Sequence, residues 1–336
     1  MGPGGRRPSA VRRIAALAAA SGLAFTVAAV GMAPTTAGAG TKSVHRVTAG
    51  DFPDPGFVKF GSRYYIYKTG GFGVRSSTSP TGGYGAIRST LTRTPAWVDK
   101  SAPKLWAPDV FASRSNGRTI YVMYFTGVAG SGRQKGVHCL GIATSASPSS
   151  GFSPQSKPVL CAAKTGYEAI DPTHYLAADG KRYMAYKINY RNRSGFDIRA
   201  VQMNAAGTGR AAGVASRSKI APGSRIEGPS ILQHGGDVYL FTSRGDYVNC
   251  TYSTDVWRAD TFWNGTFHRV GTVMASNRSA GLCGPGGATV IQDGSTTRVA
   301  FHAYADRNGD GVRDSGVRRT YVAKLAWSKS GVPSVV

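Results

Sequence analysis

The stretch Gly117-Arg-Thr-Ile-Tyr-Val-Met-Tyr124 sets a turn residue ahead of a short strand rich in aromatic and β-branched side chains. The same phrase returns at Gly61-Ser-Arg-Tyr-Tyr-Ile-Tyr67, Gly180-Lys-Arg-Tyr-Met-Ala-Tyr186, Gly236-Asp-Val-Tyr-Leu-Phe241 and Gly294-Ser-Thr-Thr-Arg-Val-Ala-Phe301. In chain order the leading glycines are 56, 63, 56 and 58 residues apart. Working outward, a short apolar strand precedes each turn and is introduced by a proline corner: Asp54-Pro55, Pro108-Asp109, Asp171-Pro172, Gly228-Pro229 and Gly284-Pro285. Several units continue into a third strand that ends in a turn, as in Ile142-Ala-Thr-Ser-Ala-Ser-Pro148.

Strands of four to eight residues at this spacing, with no helical period between them, predict an all-β protein. Five recurrences of a whole unit fit the four-stranded blades of a five-bladed β-propeller. A β-sandwich, the minor alternative, has no need for the unit to recur. In a propeller the first strand of each blade lines the central channel. The corners then gather at one mouth, and Asp54, Asp109, Asp171 and Glu227 surround a single pocket despite their separation in sequence.

Glu227 is one of only two glutamates in 336 residues. It stands between Ile226 and a Gly-Pro turn, a poor place for a solubilising charge and a good one for an acid. Burial raises a carboxyl's pKa, so such a group holds a proton near neutral pH. Pairing with Arg225 at the start of a strand is the plainer reading.

Arg6, Arg7, Arg12 and Arg13 precede the apolar run Ile14 to Ala33, and Ala37-Gly-Ala39 offers a small-residue cleavage site. These are the parts of a secretory signal peptide. The expected organisation is signal peptide 1–39, linker 40–50 and propeller 51–336, in a secreted protein with no membrane span. The twin arginines fit a folded-export signal loosely, and the route of export stays open. Without those four arginines, 37 basic residues face 17 acidic ones, a formal charge of +20. The basic residues are spread through every segment rather than clustered, which argues against a nucleic-acid partner. Weak, salt-dependent attraction to acidic wall polymers is expected instead. Four cysteines in an exported chain predict two disulfides, Cys139 with Cys161 and Cys250 with Cys283, since each pair flanks one strand-and-loop unit. None has the spacing of a zinc site.

Five blocks, Phe52-Pro-Asp-Pro55, Trp106-Ala-Pro-Asp109, Ala169-Ile-Asp-Pro172, Ile226-Glu-Gly-Pro229 and Phe301-His-Ala-Tyr304, occur in an order that resembles glycoside hydrolase family 43. The resemblance runs from about Asp51 to Trp327. It implies a five-bladed propeller that hydrolyses arabinan, arabinoxylan or xylo-oligosaccharides with inversion, needing no cofactor for the chemistry. It also implies that Asp54 is the general base, Glu227 the general acid and Asp171 the carboxylate that tunes and orients the acid. Inversion itself requires an ionised carboxylate on one face of the sugar and a protonated one on the other, about 6.5–9.5 Å apart. Corners on different blades can supply that separation. Asp51 and Glu168, each three residues before a catalytic aspartate, are the fallback candidates.

Trp106 and Phe52 adjoin the corners, where an aromatic face can pack on a sugar, and Asp109 is a further substrate contact. His302 matches a family histidine deep in the channel, often beside a bound calcium and its waters; a satisfied core histidine is the plainer reading, with a structural calcium in the channel as the alternative. Arg318 and Arg319 are read as surface residues, with a reach to a sugar hydroxyl as the alternative. Asp306-Arg-Asn-Gly-Asp-Gly-Val-Arg-Asp314 imitates a calcium loop at positions 1, 3, 5, 6 and 9, but Val317 stands where position 12 needs an acid. A hairpin built on Asn-Gly and Asp-Gly accounts for the same residues and is the expectation. A non-catalytic carbohydrate-binding propeller is the competing function. It would keep the aromatics and dispense with the three carboxylates. The residues leave arabinose against xylose, and internal against terminal cleavage, undecided. A monomer acting on polysaccharide or oligosaccharide is expected.

Overall fold

A computed structural model describes Met1 and residues 44–162, 167–190 and 196–336, so the expected signal peptide and residues 40–43 lie outside the described residues. Among the described residues there is no α-helix, only single 3₁₀ turns at Gly132–Gln134 and Arg278–Ala280. The strands form five antiparallel sheets, the blades of a five-bladed β-propeller. Blades 1 to 4 begin with the inner strands Gly56–Phe60, Trp106–Ser115, Tyr167–Leu176 and Ile226–His234, and blade 5 begins with Leu282–Asp293. Each inner strand contacts that of the next blade, and the last contacts the first, which closes the ring around a channel.

The repeated phrase is the inner hairpin of a blade. In four blades the first two strands join through two-residue turns, for example Asn116-Gly117, where φ is 47° and 73°. Both central residues of a type I′ turn need positive φ, which Asn-Gly accepts at little cost. The aromatic that ends each phrase, Tyr67, Tyr124, Tyr186, Phe241 or Phe301, is at most 2% exposed. These side chains fill the seams between blades. Tyr67 packs with Met123 and Phe125 of blade 2, Tyr124 with Tyr186 of blade 3, and Phe241 with Phe301 of blade 5. Each contributes about 1.5–3 kcal/mol by leaving water.

Blade 5 is completed by chain from the N-terminal side. His45–Arg46 pairs with Val322 and Tyr321, and the Val47 N–H donates to the Thr320 carbonyl. The described part of the segment expected as a linker is therefore joined to the blade from residue 45. A second tie crosses the same seam: Asp293 of blade 5 accepts from Lys59 Nζ and the Tyr64 hydroxyl of blade 1, each at 2.6 Å.

The two disulfides form as expected. Cys139–Cys161 staples adjacent strands within blade 2, whereas Cys250–Cys283 ties a blade 4 loop to the inner strand of blade 5. Closing loops with separations of 22 and 33 residues stabilises by about 3 kcal/mol each in the chain-entropy model. Replacing Cys139 and Cys161 by serine should lower stability to urea by about that amount and leave turnover intact. Replacing Cys250 and Cys283 should in addition lower kcat/KM, because Tyr252, two residues beyond Cys250, touches Glu227. Denaturant melts and kinetics on both double variants check this. Equal kinetic effects would show that the second disulfide has no hold on the site.

Candidate active site

Along the inner strands the hydrogen-bond register slips between Trp106 and Asp109, Ile170 and Thr173, Glu227 and Ser230, and Gly286 and Thr289. Each slip is a bulge, which bends the strand and re-aims side chains. At the same step of all five blades one residue has positive φ: Asp54 at 50°, Ala107 at 47°, Asp171 at 54°, Gly228 at 55° and Gly287 at 57°. Blade 5 turns twice, at Gly284-Pro285, where φ is 63° and the register also slips, and again at Gly287-Ala288, which is the corner that lines the cavity. A non-glycine residue in this conformation stores about 1–3 kcal/mol of strain. Asp54 and Asp171 occupy the strained position itself, and Glu227 stands one residue before it.

The corners surround a cavity of about 270 Å³ whose wall includes Asp54, Asp109, Asp171 and Glu227, as the repeat predicts. Glu227 Oε2 lies 2.6 Å from Lys187 Nζ, and its Oε1 accepts from the Tyr252 hydroxyl at 2.7 Å. Asp54 Oδ2 accepts from Thr69 Oγ1 at 2.7 Å, and its Oδ1 lies 3.5 Å from Arg318 Nη1. Asp171 accepts the Gly228 N–H at 3.1 Å, while its own N–H donates to Thr126 Oγ1. Asp109 Oδ2 accepts from the His174 backbone N–H at 2.6 Å and lies 2.7 Å from the ring Nδ1.

Burial, and next the negative charge of Glu227, push the Asp171 carboxyl up to about 7, while Lys187 opposes the shift. Asp171 is open to the cavity, but protein encloses it on its other sides, so desolvation leads. The free site thus stores a proton near neutral pH. From the sequence, Asp171 is expected to tune the acid Glu227; the carboxyl that the structure raises is Asp171, and Glu227 is held by Lys187 and Tyr252, two donors outside that expectation.

Trp106 lines the cavity, its ring stacked on His138 with centroids 4.3 Å apart. Tyr247 forms another part of the wall, with the Arg318 guanidinium over its ring at 5.4 Å. Phe52 is not an aromatic platform. It is 2% exposed, packs with Phe57, Tyr64 and Val322 between blades 1 and 5, and does not line the cavity. Neither fallback carboxylate lines it either. Glu168 is buried against His138, 2.8 Å from Nδ1, and Asp51 accepts the Arg318 backbone N–H.

His302 is fully buried beneath Asp54, whose N–H donates to its Nδ1 at 3.1 Å. Burial lowers its pKa to about 4, so the ring is neutral at ordinary pH. Its Nε2 is buried without a hydrogen-bond partner. Among the described residues no three His, Cys, Asp or Glu side chains gather as a cation site. The ring instead supports the Asp54 corner and stacks on Tyr252, with centroids 5.9 Å apart.

Thr69, Lys187, Tyr252 and Arg318 were absent from, or misplaced by, the sequence reading. Lys187 left a signal, a lysine between Tyr186 and Ile188 in an apolar strand, and it is 4% exposed. For Arg318-Arg319 alternation says that one side chain turns inward but not which. The structure turns Arg318 into the site and sends Arg319 Nε to the Ala49 carbonyl.

Comparison with known proteins agrees with this geometry. The model of glycosyl hydrolases family 43 matches residues 45–333, and the chain belongs to that family. It is an O-glycosyl hydrolase and not a non-catalytic binding propeller. It is 28% identical to the extracellular endo-alpha-(1->5)-L-arabinanase 1 of Bacillus subtilis, over 94% of this chain and 95% of that protein. A shorter match, 30% identical over 32% of this chain and 24% of the relative, is to an extracellular exo-alpha-(1->5)-L-arabinofuranosidase of Streptomyces avermitilis. Among solved structures, Cellvibrio cellulosa alpha-L-arabinanase complexed with arabinohexaose superposes with a TM-score of 0.69 at 21% identity, covering 86% of this chain and 96% of that one. That likeness speaks for the fold.

The raised carboxyl fixes a sign for pH dependence. Folded Asp171 keeps its proton up to about pH 7, whereas the unfolded group, at 3.8, loses it earlier. Between those values the native state binds the extra proton, so this group's contribution to stability falls as pH rises across the window. Asp171→Asn cannot ionise. Its melting temperature should decline less than that of the wild type between pH 4 and 7, and at about pH 8 it should be the more stable of the two. Calorimetry across pH checks this; parallel curves would place the Asp171 ionisation below pH 4.

Proposed function

We propose that the protein is a secreted inverting hydrolase that cleaves α-1,5-linked arabinofuranosyl units within arabinan. The observation that carries this reading is the group of three carboxylates on separate blades, each held by different donors, in a chain alignable over nearly its whole length with an endo-arabinanase. Asp54, oriented by Thr69 and Arg318, activates water on one face of the sugar. Glu227 delivers a proton to the leaving oxygen on the other face. Asp171 and Glu227 interact strongly, so the proton that burial and repulsion store near neutral pH belongs to the pair. Lys187 and Tyr252 then stabilise the Glu227 carboxylate that proton delivery leaves behind. Trp106 and Tyr247 offer rings to the sugar's C–H faces, and Asp109, already bonded to His174, borders the same cavity.

Export is supported by the signal-like N-terminal sequence, by the two disulfides and by the extracellular naming of both relatives. Among the described residues no helix is long and apolar enough to cross a membrane. The mature protein acts as a monomer, and its formal charge of +20 gives weak, salt-sensitive attachment to acidic wall polymers.

Two measurements test the assignment together. Linear α-1,5-arabinan should yield short oligosaccharides, and proton NMR in the first minutes should find the new reducing end with the anomeric configuration opposite to that of the substrate. Release of xylose from xylan alone would move the specificity, and a retained configuration would remove Asp54 as base. Among variants, Glu227→Ala should keep much more activity on an aryl arabinofuranoside, whose leaving group needs little protonation, than on arabino-oligosaccharide. Asp54→Ala should lose both by about 10³-fold or more. Equal losses on the two substrates for Glu227→Ala would mean that Glu227 is not the acid.

A further inference from the structure

The connection from Thr296–Ala305 to Arg319–Trp327 in blade 5 is a hairpin in topology, since the two strands pair antiparallel. Its sequence places oxygen-bearing side chains at Asp306, Asn308, Asp310 and Asp314, with glycine at position 311 where φ is 84°. Turn chemistry alone leaves one group unexplained. Asp306 is 1% exposed, and its Oδ1 is buried without a hydrogen-bond partner. A buried carboxylate oxygen with no partner is costly, and native proteins supply one with a donor or a metal ion.

The carboxylate of Asp306 faces the inside of the loop, because its Oδ2 accepts the Gly311 N–H at 3.1 Å. Asp314 folds back over the same end, accepting the Arg307 backbone N–H at 3.2 Å. No basic side chain answers Asp306 within 4.0 Å among the described residues. Arg307 is 76% exposed and lies 3.7 Å from Asp314, Arg313 covers the Tyr304 ring, and Arg278 packs against Gly311.

We propose that Asp306, Asn308, Asp310, the Val312 carbonyl and Asp314 bind one calcium ion. Oxygen ligands at positions 1, 3, 5, 7 and 9, with glycine at 6, are the pattern of a calcium loop, and water completes a coordination number of six to eight. Asp314 supplies the carboxylate that Val317 cannot. In this structure Asp306, Asp310 and Asp314 do not yet gather as a site, since Asp310 accepts from Asn308 Nδ2 and the Val312 N–H, so both Asn308 and Asp310 must turn inward on binding. The loop runs directly into Arg318, which reaches Asp54, so the ion fixes a segment that ends in the active site. The site is separate from the channel at His302 and does not depend on which glycan is cleaved.

The test uses the intact protein stripped with EDTA and titrated with calcium chloride by calorimetry. One ion per chain should bind, and the melting temperature should rise. Arg307 and Arg313 give trypsin two cuts inside the loop, and calcium should slow cleavage there by about tenfold or more. Asp310→Asn, at an exposed position that folding tolerates, should weaken binding by at least about tenfold and abolish the protection. Asp306→Asn should do the same if it folds. Absence of stoichiometric binding, binding that Asp310→Asn leaves intact, or binding without protection of the two arginine bonds would overturn the proposal.

Discussion

The repulsion among Asp54, Asp171 and Glu227 at one end of the channel is the constraint on which the site depends. The fold brings three carboxylates from three blades to one cavity, and three different devices make that tolerable. Arg318 lies beside Asp54, Lys187 and Tyr252 hold Glu227, and Asp171 takes a proton. Lys187 is 5% exposed at its side chain and Glu227 22%, so their pair is shielded from solvent and its loss would leave a buried charge without an answer. Removing one partner of such a pair typically costs about 3–5 kcal/mol. Repulsion is also what makes the site useful, because a crowded carboxyl pair keeps near neutral pH a proton that a lone carboxyl would have lost.

Backbone strain is the means by which the carboxylates are aimed. A regular strand alternates its side chains between faces, and neither Asp54 nor Asp171 could point along the channel from one. The positive φ shared by all five blades re-aims them, with a bulge beside it at Asp171. The surrounding structure holds the strained corners in place: His302 accepts the Asp54 N–H, Thr126 the Asp171 N–H and Ser243 the Gly287 N–H.

The fold was legible because its information is periodic. Five recurrences of a glycine turn and an aromatic strand identify the inner hairpins, and the aromatic that ends each is a seam residue in the structure. The carboxylates were legible for the same reason, since each sits at a fixed step of the repeat. What escaped was whatever depends on packing between units. Phe52 adjoins a catalytic corner in sequence yet faces the seam with blade 5, in irregular chain ahead of the strand where alternation gives no guide. Gly284-Pro285 has the composition of the corner and a positive φ, but Gly287-Ala288 is the turn that lines the cavity, and composition alone does not separate them. Lys187 lies on the second strand of blade 3 and Tyr252 in the loop just before the third strand of blade 4, both away from any corner, yet both reach Glu227. For this reason the location of the stored proton could not be read from the sequence.

The scarcity of glutamate gives a direct way to find that proton. Protein carrying ¹³C at the glutamate δ-carbon has two carboxyl signals, Glu168 and Glu227, which Glu227→Gln distinguishes. Protein carrying ¹³C at the aspartate γ-carbon gives an Asp171 signal identified by its loss in Asp171→Asn. Titration of the free enzyme should find the Asp171 carboxyl changing with a midpoint near 7, and that midpoint should fall in Glu227→Gln, where the neighbouring charge is gone. An Asp171 signal that is fully ionised at pH 5, or a midpoint unmoved by Glu227→Gln, would contradict the account of how three carboxylates share this channel.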